Sequence, residues 1–152
     1  MTAESSFVPA DFVPPTGLAE PLFLLEPLGP QHNDRDHAAW TSSMEHIRAT
    51  PGFLDGRWPR EMSLEENLDD LRRHARDFAG RTGFTYTVLD PGGVDIVGCV
   101  YIYPLNGAAG EAQVSSWVRA DRAELDRPLH AAVTRWLERD WPFARIDYAP
   151  RP

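Results

Sequence analysis

FTYTVLDPGGVDIVGCVYIYPLNGAAGEAQVSSWVR, residues 84–119, is the stretch that decides the fold class. Its first segment, 84–89, alternates aromatic, threonine and aliphatic positions with a period of two, the pattern of a strand. Asp90-Pro-Gly-Gly93 then supplies the residue types that favour a tight turn. A second strand follows over 94–103, with Ile96, Gly98, Val100 and Ile102 on one face and Val97, Cys99, Tyr101 and Tyr103 on the other. Both faces are apolar, which predicts a central strand covered from two sides. After the glycine-containing loop 104–110, residues 112–119 form a third strand. Ser115, Trp117 and Arg119 share one of its faces, and Val114, Ser116 and Val118 the other. Three such strands in succession read as an antiparallel meander.

Helices flank it. Upstream, Ser63 and Glu66 have the spacing of a capping box, and Leu64, Leu68, Leu71, Ala75 and Phe78 recur at helical spacing up to Gly80 and Gly83. Asp69 and Arg73 stand four residues apart on that helix, positioned to pair. Downstream, Leu129, Ala132, Val133, Trp136 and Leu137 give an apolar face to a helix over 127–140, with Pro128 in its first turn, where a missing N–H is tolerated. A last strand spans 145–148. Near the start, LFLLE at 22–26 reads as a short strand, and Asn33 and Asp34 are candidate caps of a helix running toward Ser43. Residues 1–20, with Pro9, Pro14 and Pro15, read as an extended arm whose Phe7, Phe12 and Val13 seek an apolar surface on the body or on a second copy. Residues 21–152 then form a single domain.

Composition narrows the function classes. The chain has 152 residues, 42% hydrophobic and 25% charged, enough for one core. Its net charge of −8 argues against nucleic acid as a partner. No apolar run is long enough to span a bilayer, and the N-terminus lacks the basic and apolar regions of a signal peptide, so no membrane partner and a cytoplasmic location are expected. All 15 basic residues are arginine. Cys99 is the one cysteine, which excludes an intrachain disulfide and a thiolate zinc site. The five histidines are dispersed, with no pair at helical ligand spacing, so no metal is expected. There is no nucleophile elbow, Walker loop or dinucleotide fingerprint.

The order strand, two helical segments, meander, helix, strand resembles the GNAT acyltransferase superfamily. IVGCVYIYP (96–104), AQVSSWVR (112–119), HAAVTRWLERDWP (130–142) and RIDYAP (145–150) carry the resemblance, and LFLLEPLGPQH (22–32) is similar to the family's opening. It covers residues 20–150. It implies an α/β (α+β) fold, a largely antiparallel central sheet flanked by helices. The family commonly adds a further helix, which often carries a tyrosine acid, and two strands, so the domain is expected to be truncated at its C-terminal end.

The resemblance also implies an activity: transfer of an acetyl or acyl group from acyl-CoA to a small-molecule or peptide amine, with acetyl-CoA as donor. In such proteins two strands splay, here 112–119 and 145–149, and the donor lies between them. Its pyrophosphate sits at the start of the following helix, on unpaired N–H groups and the positive end of the helix dipole. The family's glycines at that place are absent from Arg122-Ala-Glu-Leu-Asp-Arg127, and Glu124 and Asp126 put negative charge there. On this reading Trp117, Val118, Arg119, Arg122 and Arg127 are the donor-binding candidates. Tyr101, Tyr103 and Ser115 are the acceptor-binding candidates, Glu111 the candidate base and Tyr148 the candidate acid. Each also has a structural reading: core packing for Trp117 and the tyrosines, pairing with Glu124 and Asp126 for Arg122 and Arg127, and a solvated loop end for Glu111. The glycine-free, acidic stretch keeps open a second class, a non-catalytic ligand-binding or protein-interaction module. The strand edge at 145–149 offers a surface for a homodimer.

Overall fold

The computed structural model describes residues 6–152; the first five residues of the N-terminal arm lie outside the described residues. Six strands form a sheet in sequence order: β1 (Leu18–Ala19), β2 (Leu24–Pro27), β3 (Phe84–Leu89), β4 (Ile96–Pro104), β5 (Glu111–Val118) and β6 (Arg145–Tyr148). Neighbours from β1 to β5 are antiparallel, and β6 runs parallel to β5. The helices are α1 (Asn33–Thr41), α2 (Met44–Arg48), α3 (Leu64–Ala79) and α4 (Asp126–Asp140). Among the described residues, no helix is long and apolar enough to cross a membrane.

The meander read from 84–119 is present, with β4 in its middle and apolar packing on both sides. Leu129, Val133, Trp136 and Leu137 of α4 cover one side, against Phe84, Tyr86, Val100 and Val114. Trp40, Ile47 and Leu71 from α1, α2 and α3 cover the other, against Cys99 and Trp117. The strict alternation expected along β4 needs correcting at its start. Pairing of β3 with β4 shifts register there, so that Val88 faces Gly98 and Leu89 faces Ile96. The extra residue is Val97, and a bulge of one residue exchanges the faces of what precedes it. Val97 packs with Val100 and Ile102, while Ile96 joins Cys99 and Trp117.

In α3 the capping box forms as the spacing requires: Glu66 N donates to Ser63 Oγ at 3.0 Å and Ser63 N to Glu66 Oε1 at 2.9 Å. Two expectations for this region are corrected. Asp69 pairs with Arg72 at 3.5 Å, whereas Arg73 reaches Asp70 at 3.5 Å and Asp77 at 3.9 Å. Asn33 does not cap α1; it is the helix's first residue, and its Nδ2 donates to Leu64 O at 3.0 Å. The expected apolar stripe of α3 holds at Leu71 and Phe78, which pack in the two cores, and departs at its first residue. Leu64 is 44% exposed, while Asn67 and Leu71 are buried. Asn67 is held inward by α1: Trp40 Nε1 donates to its Oδ1 at 3.0 Å.

The arm docks on the body. Phe7 and Val8 are buried, and Phe7 stacks on Phe84 and Phe143 with ring centroids 5.9 and 5.1 Å apart. Tyr86 Oη donates to Pro15 O at 2.6 Å. Truncating Phe7 removes a buried aromatic ring at one end of the larger core, so Phe7→Ala is expected to lower stability by about 3 kcal/mol in urea unfolding. A loss under about 0.5 kcal/mol, the level of an ordinary surface substitution, would mean the arm does not contribute to that core.

Candidate functional site

The site begins where β5 and β6 part. Their parallel ladder runs from Glu111 opposite Arg145 to Val114 opposite Tyr148 and stops there. Ser115 to Val118 continue the strand with no ladder partner on that side among the described residues, as the splay implied by the sequence resemblance requires.

The opening is occupied by the chain's own side chains. Arg151 is almost wholly buried in it, its side chain 4% exposed. Its Nη2 donates to Ser116 O at 2.8 Å, its Nη1 to Pro51 O at 3.2 Å and to Ala149 O at 3.0 Å. The same guanidinium grips Asp126 at the start of α4, Nε to Oδ2 at 2.8 Å and Nη2 to Oδ1 at 3.2 Å, a two-point pair. Beside it Tyr148 and Ser116 share a hydrogen bond of 2.5 Å between their hydroxyls. Burial pushes the Tyr148 phenol up to about 12, with Ser116 and Arg151 opposing. It therefore keeps its proton at neutral pH.

At the start of α4 the chain from Ala120 to Leu125 is wound as a 3-10 turn. Arg122 N donates to Arg119 O at 3.0 Å, and Asp126 N to Ala123 O. Those donors are thus used within the turn, and no side chain caps α4. A groove of about 330 Å³ lies beside it, lined by Pro51, Glu124, Asp126, Arg127 and Arg151 among others.

On the side of the sheet covered by α1 and α3, a pocket of about 240 Å³ is lined by Asp36, Asn67, His74, Trp58, Tyr101 and Ser115 among others. Ser115 places it beside the parting of β5 and β6. Phe53, Trp58 and Tyr101 lie with centroids 6.0 to 6.3 Å apart, steeply tilted to one another. Trp117, fully buried, donates through Nε1 to Tyr101 Oη at 2.9 Å. Asp36 is 4% exposed, and burial pushes its carboxyl up to about 6 against the pull of Asn67, whose Nδ2 donates to Oδ2 at 3.0 Å. Burial pushes His74 down to about 4, so it is neutral at pH 7. Among the described residues no group of three or more His, Cys, Asp or Glu is placed to hold a metal ion.

The structure brings some of the sequence candidates together and separates others. Tyr101 and Ser115 line this pocket, with Trp117 behind Tyr101. Tyr103 stands one step away, 2.9 Å from His74 Nδ1, and donates to Asp77 Oδ2 at 2.9 Å. Val118 belongs to the opposite core. Arg119 is held by Asp95 and Asp121 at 3.0 and 2.9 Å. Arg122 pairs with Glu124 at 3.1 Å, as its structural reading anticipated. Asp126 pairs with Arg151, which leaves Arg127 exposed in the groove with no ion pair among the described residues. Glu111 sits at the paired start of β5, four residues and about 13 Å of strand from Ser115. Sequence reading missed Asp36, Asn67, His74 and Arg151. The available signal was polar residues 67, 70 and 74 at helical spacing beside a buried leucine.

Neither a family profile nor a curated protein matches the sequence. Solved structures do match. An acetyltransferase of Salmonella typhimurium that modifies the N-terminal serine of ribosomal protein L7/L12 superposes with a TM-score of 0.60 at 14% identity, over 84% of this chain and 70% of that one. A Chromobacterium violaceum protein described as a GNAT-family acetyltransferase gives 0.61 at 15% identity, over 89% and 64%. The fold is the GNAT acetyltransferase fold. A third GNAT-fold structure, the microcin C7 self-immunity acetyltransferase MccE in complex with acetyl-CoA and AMP, gives 0.62 at 10% identity, over 82% and 66%. Within the GNAT fold of the present chain, the parting of β5 and β6, the groove at α4 and the aromatic pocket lie next to one another.

Proposed function

We propose that the protein is an N-acyltransferase that takes an acyl group, acetyl in the first instance, from acyl-CoA and passes it to a small-molecule or peptide amine. The observation that carries this is the parting of β5 from β6 at Val114, which leaves 115–118 without a ladder partner on that side among the described residues and joined to the start of α4 through Arg151. The similar structures are acetyltransferases, acting by their descriptions on a ribosomal protein and in microcin immunity. Backbone groups of 115–118 would polarise the thioester, and Tyr148, 2.5 Å from Ser116, would protonate the departing thiolate. Arg122 and Arg127 border the place of the pyrophosphate. A buried lone cysteine agrees with a reducing, cytoplasmic site of action, and the outer edge of β6 is the surface for a dimer.

Isothermal titration with acetyl-CoA and with free CoA tests the reading. Saturable binding at micromolar affinity is expected, followed by release of free thiol when an amine is added. The second reading, a non-catalytic binding module, draws on the closure of the cleft by Arg151. Absence of CoA binding at millimolar concentration would remove the first reading and direct the search to another ligand or a partner.

A further inference from the structure

We propose that the pocket between α1, α3 and the β4–β5 pair is a binding site for a small primary ammonium group, anchored on Asp36, and that Asp36 takes the proton that frees the amine. The binding part stands on the pocket itself; only the use of the freed amine rests on the acyl-transfer reading above.

Asp36 Oδ2 accepts from Asn67, and Asn67 is itself fixed by Asn33 and Trp40 at 2.9 and 3.0 Å. Asp36 Oδ1 has no donor among the described residues, although the side chain is more than nine-tenths buried and lines the pocket. Oδ1 is not among the fully enclosed polar atoms and opens to the pocket, where a carboxylate held largely out of bulk water gains from a cation. The second acid on the wall, Asp70, already pairs with Arg73.

The other walls select the kind of cation. Phe53, Trp58 and Tyr101 offer aromatic surface, which favours a positive charge carried on hydrocarbon. A metal ion would find one free carboxylate oxygen where it needs several oxygens. Arg73 also lines the pocket, but its guanidinium is paired with Asp70 and Asp77, so an anion would still meet the charge of Asp36. At about 240 Å³ the space falls below the ~300–1,000 Å³ typical of drug-sized ligands, so it suits a short alkyl amine or a single amino side chain.

Proton transfer balances simply: R–NH3+ and the Asp36 carboxylate give R–NH2 and the carboxylic acid. The carboxyl, pushed up to about 6 by burial and drawn down less strongly by Asn67, His32 and His37, lies close enough to neutrality to accept a proton and lose it again. Asp36 faces the same pocket as Ser115, whereas Glu111 lies toward the far end of β5.

The test titrates the full chain with n-butylammonium and with n-butanol while following tryptophan fluorescence, with no CoA present. Saturable quenching by the ammonium and none by the alcohol at equal concentration is expected. Asp36→Asn keeps the acceptor for Asn67 and removes the charge, and it should weaken ammonium binding about tenfold or more. The same variant should melt higher than wild type at pH 7.5. The folded carboxyl has a raised pKa, so its stabilising contribution is full below about 3.8 and lost as pH rises through about 6. The melting advantage should therefore close at pH 4.

Equal ammonium binding in the two proteins, butanol binding as tightly as butylammonium, or a lower melting temperature for Asp36→Asn at pH 7.5 would each overturn the proposal. Ammonium binding without acetyl-CoA binding would support this site while removing the acyl-transfer reading. Acetyl-CoA binding without ammonium binding would do the reverse.

Discussion

Replacing Asp126 by asparagine is expected to tighten acetyl-CoA binding by about tenfold while lowering the stability of the free protein by about 2 kcal/mol. Two effects on binding add. The carboxylate stands at the start of α4, where the proposed donor would set its pyrophosphate, and like charges about 4 Å apart repel by about 1 kcal/mol in water and about 4 kcal/mol near a protein surface. Removing it also releases the Arg151 guanidinium, now gripped at 2.8 and 3.2 Å, to turn toward phosphate. A tenfold gain corresponds to about 1.4 kcal/mol, the lower part of that range. The stability loss follows from leaving Arg151 buried without its charged partner. It stays moderate because Ser116 O, Pro51 O and Ala149 O still accept from the guanidinium.

Arg151→Ala separates closure from charge. It empties the strand opening but leaves the Asp126 carboxylate, 22% exposed and free to hydrate, facing the phosphates. Its gain in affinity should therefore be smaller than that of Asp126→Asn. Titration of the two variants in low salt gives the order directly. The reverse order would show that the guanidinium acts as a steric plug and that the carboxylate is of little consequence. Unchanged affinity in both would remove the α4 start from the donor site.

The sheet was legible in the sequence because its signals are local. The period of two in FTYTVL and IVGCVYIYP, and the turn at Asp90–Gly93, need no knowledge of the rest of the chain. So too the Ser63–Glu66 cap, which formed as spaced. The site was less legible because it is made across distance. Asp36 meets Asn67 from 31 residues away, and Arg151 meets Pro51 from 100. A helical pattern assigns polar residues to the solvent face by default, so nothing in it marks Asp36 in α1 or Asn67 and His74 in α3 as turned inward. Their burial depends on how α1 and α3 cross over β4, which no window of sequence contains. The bulge at Val97 escaped for a different reason: both of its neighbouring faces are apolar, so a one-residue slip leaves the composition of each face nearly unchanged.

That bulge sets up the other large effect. Gly98→Ala is expected to lower stability by about 3 kcal/mol, a fall in melting temperature of roughly 10 °C for a chain of this size. The backbone at Gly98 is not of the kind reserved for glycine; the constraint is space. A Cβ there would lie 2.3 Å from the carbonyl oxygen of Trp117 and 3.3 Å from Val118 Cα. Both belong to the backbone of β5, which pairs with β4 through Gly98 and Val118, so no side-chain rotation relieves the clash. The strands must separate at the end where β5 has already left β6. Trp117 then moves, and its 2.9 Å hydrogen bond to Tyr101, which steadies one wall of the amine pocket, is strained with it. Gly98→Ala should thus lose butylammonium binding together with stability. Gly92→Ala is the control, because a Cβ there meets nothing closer than 3.7 Å. If Gly98→Ala melted with Gly92→Ala and the wild type, β4 and β5 would have slack at this point. The close approach that fixes Trp117 behind the pocket would then not be a requirement of the fold.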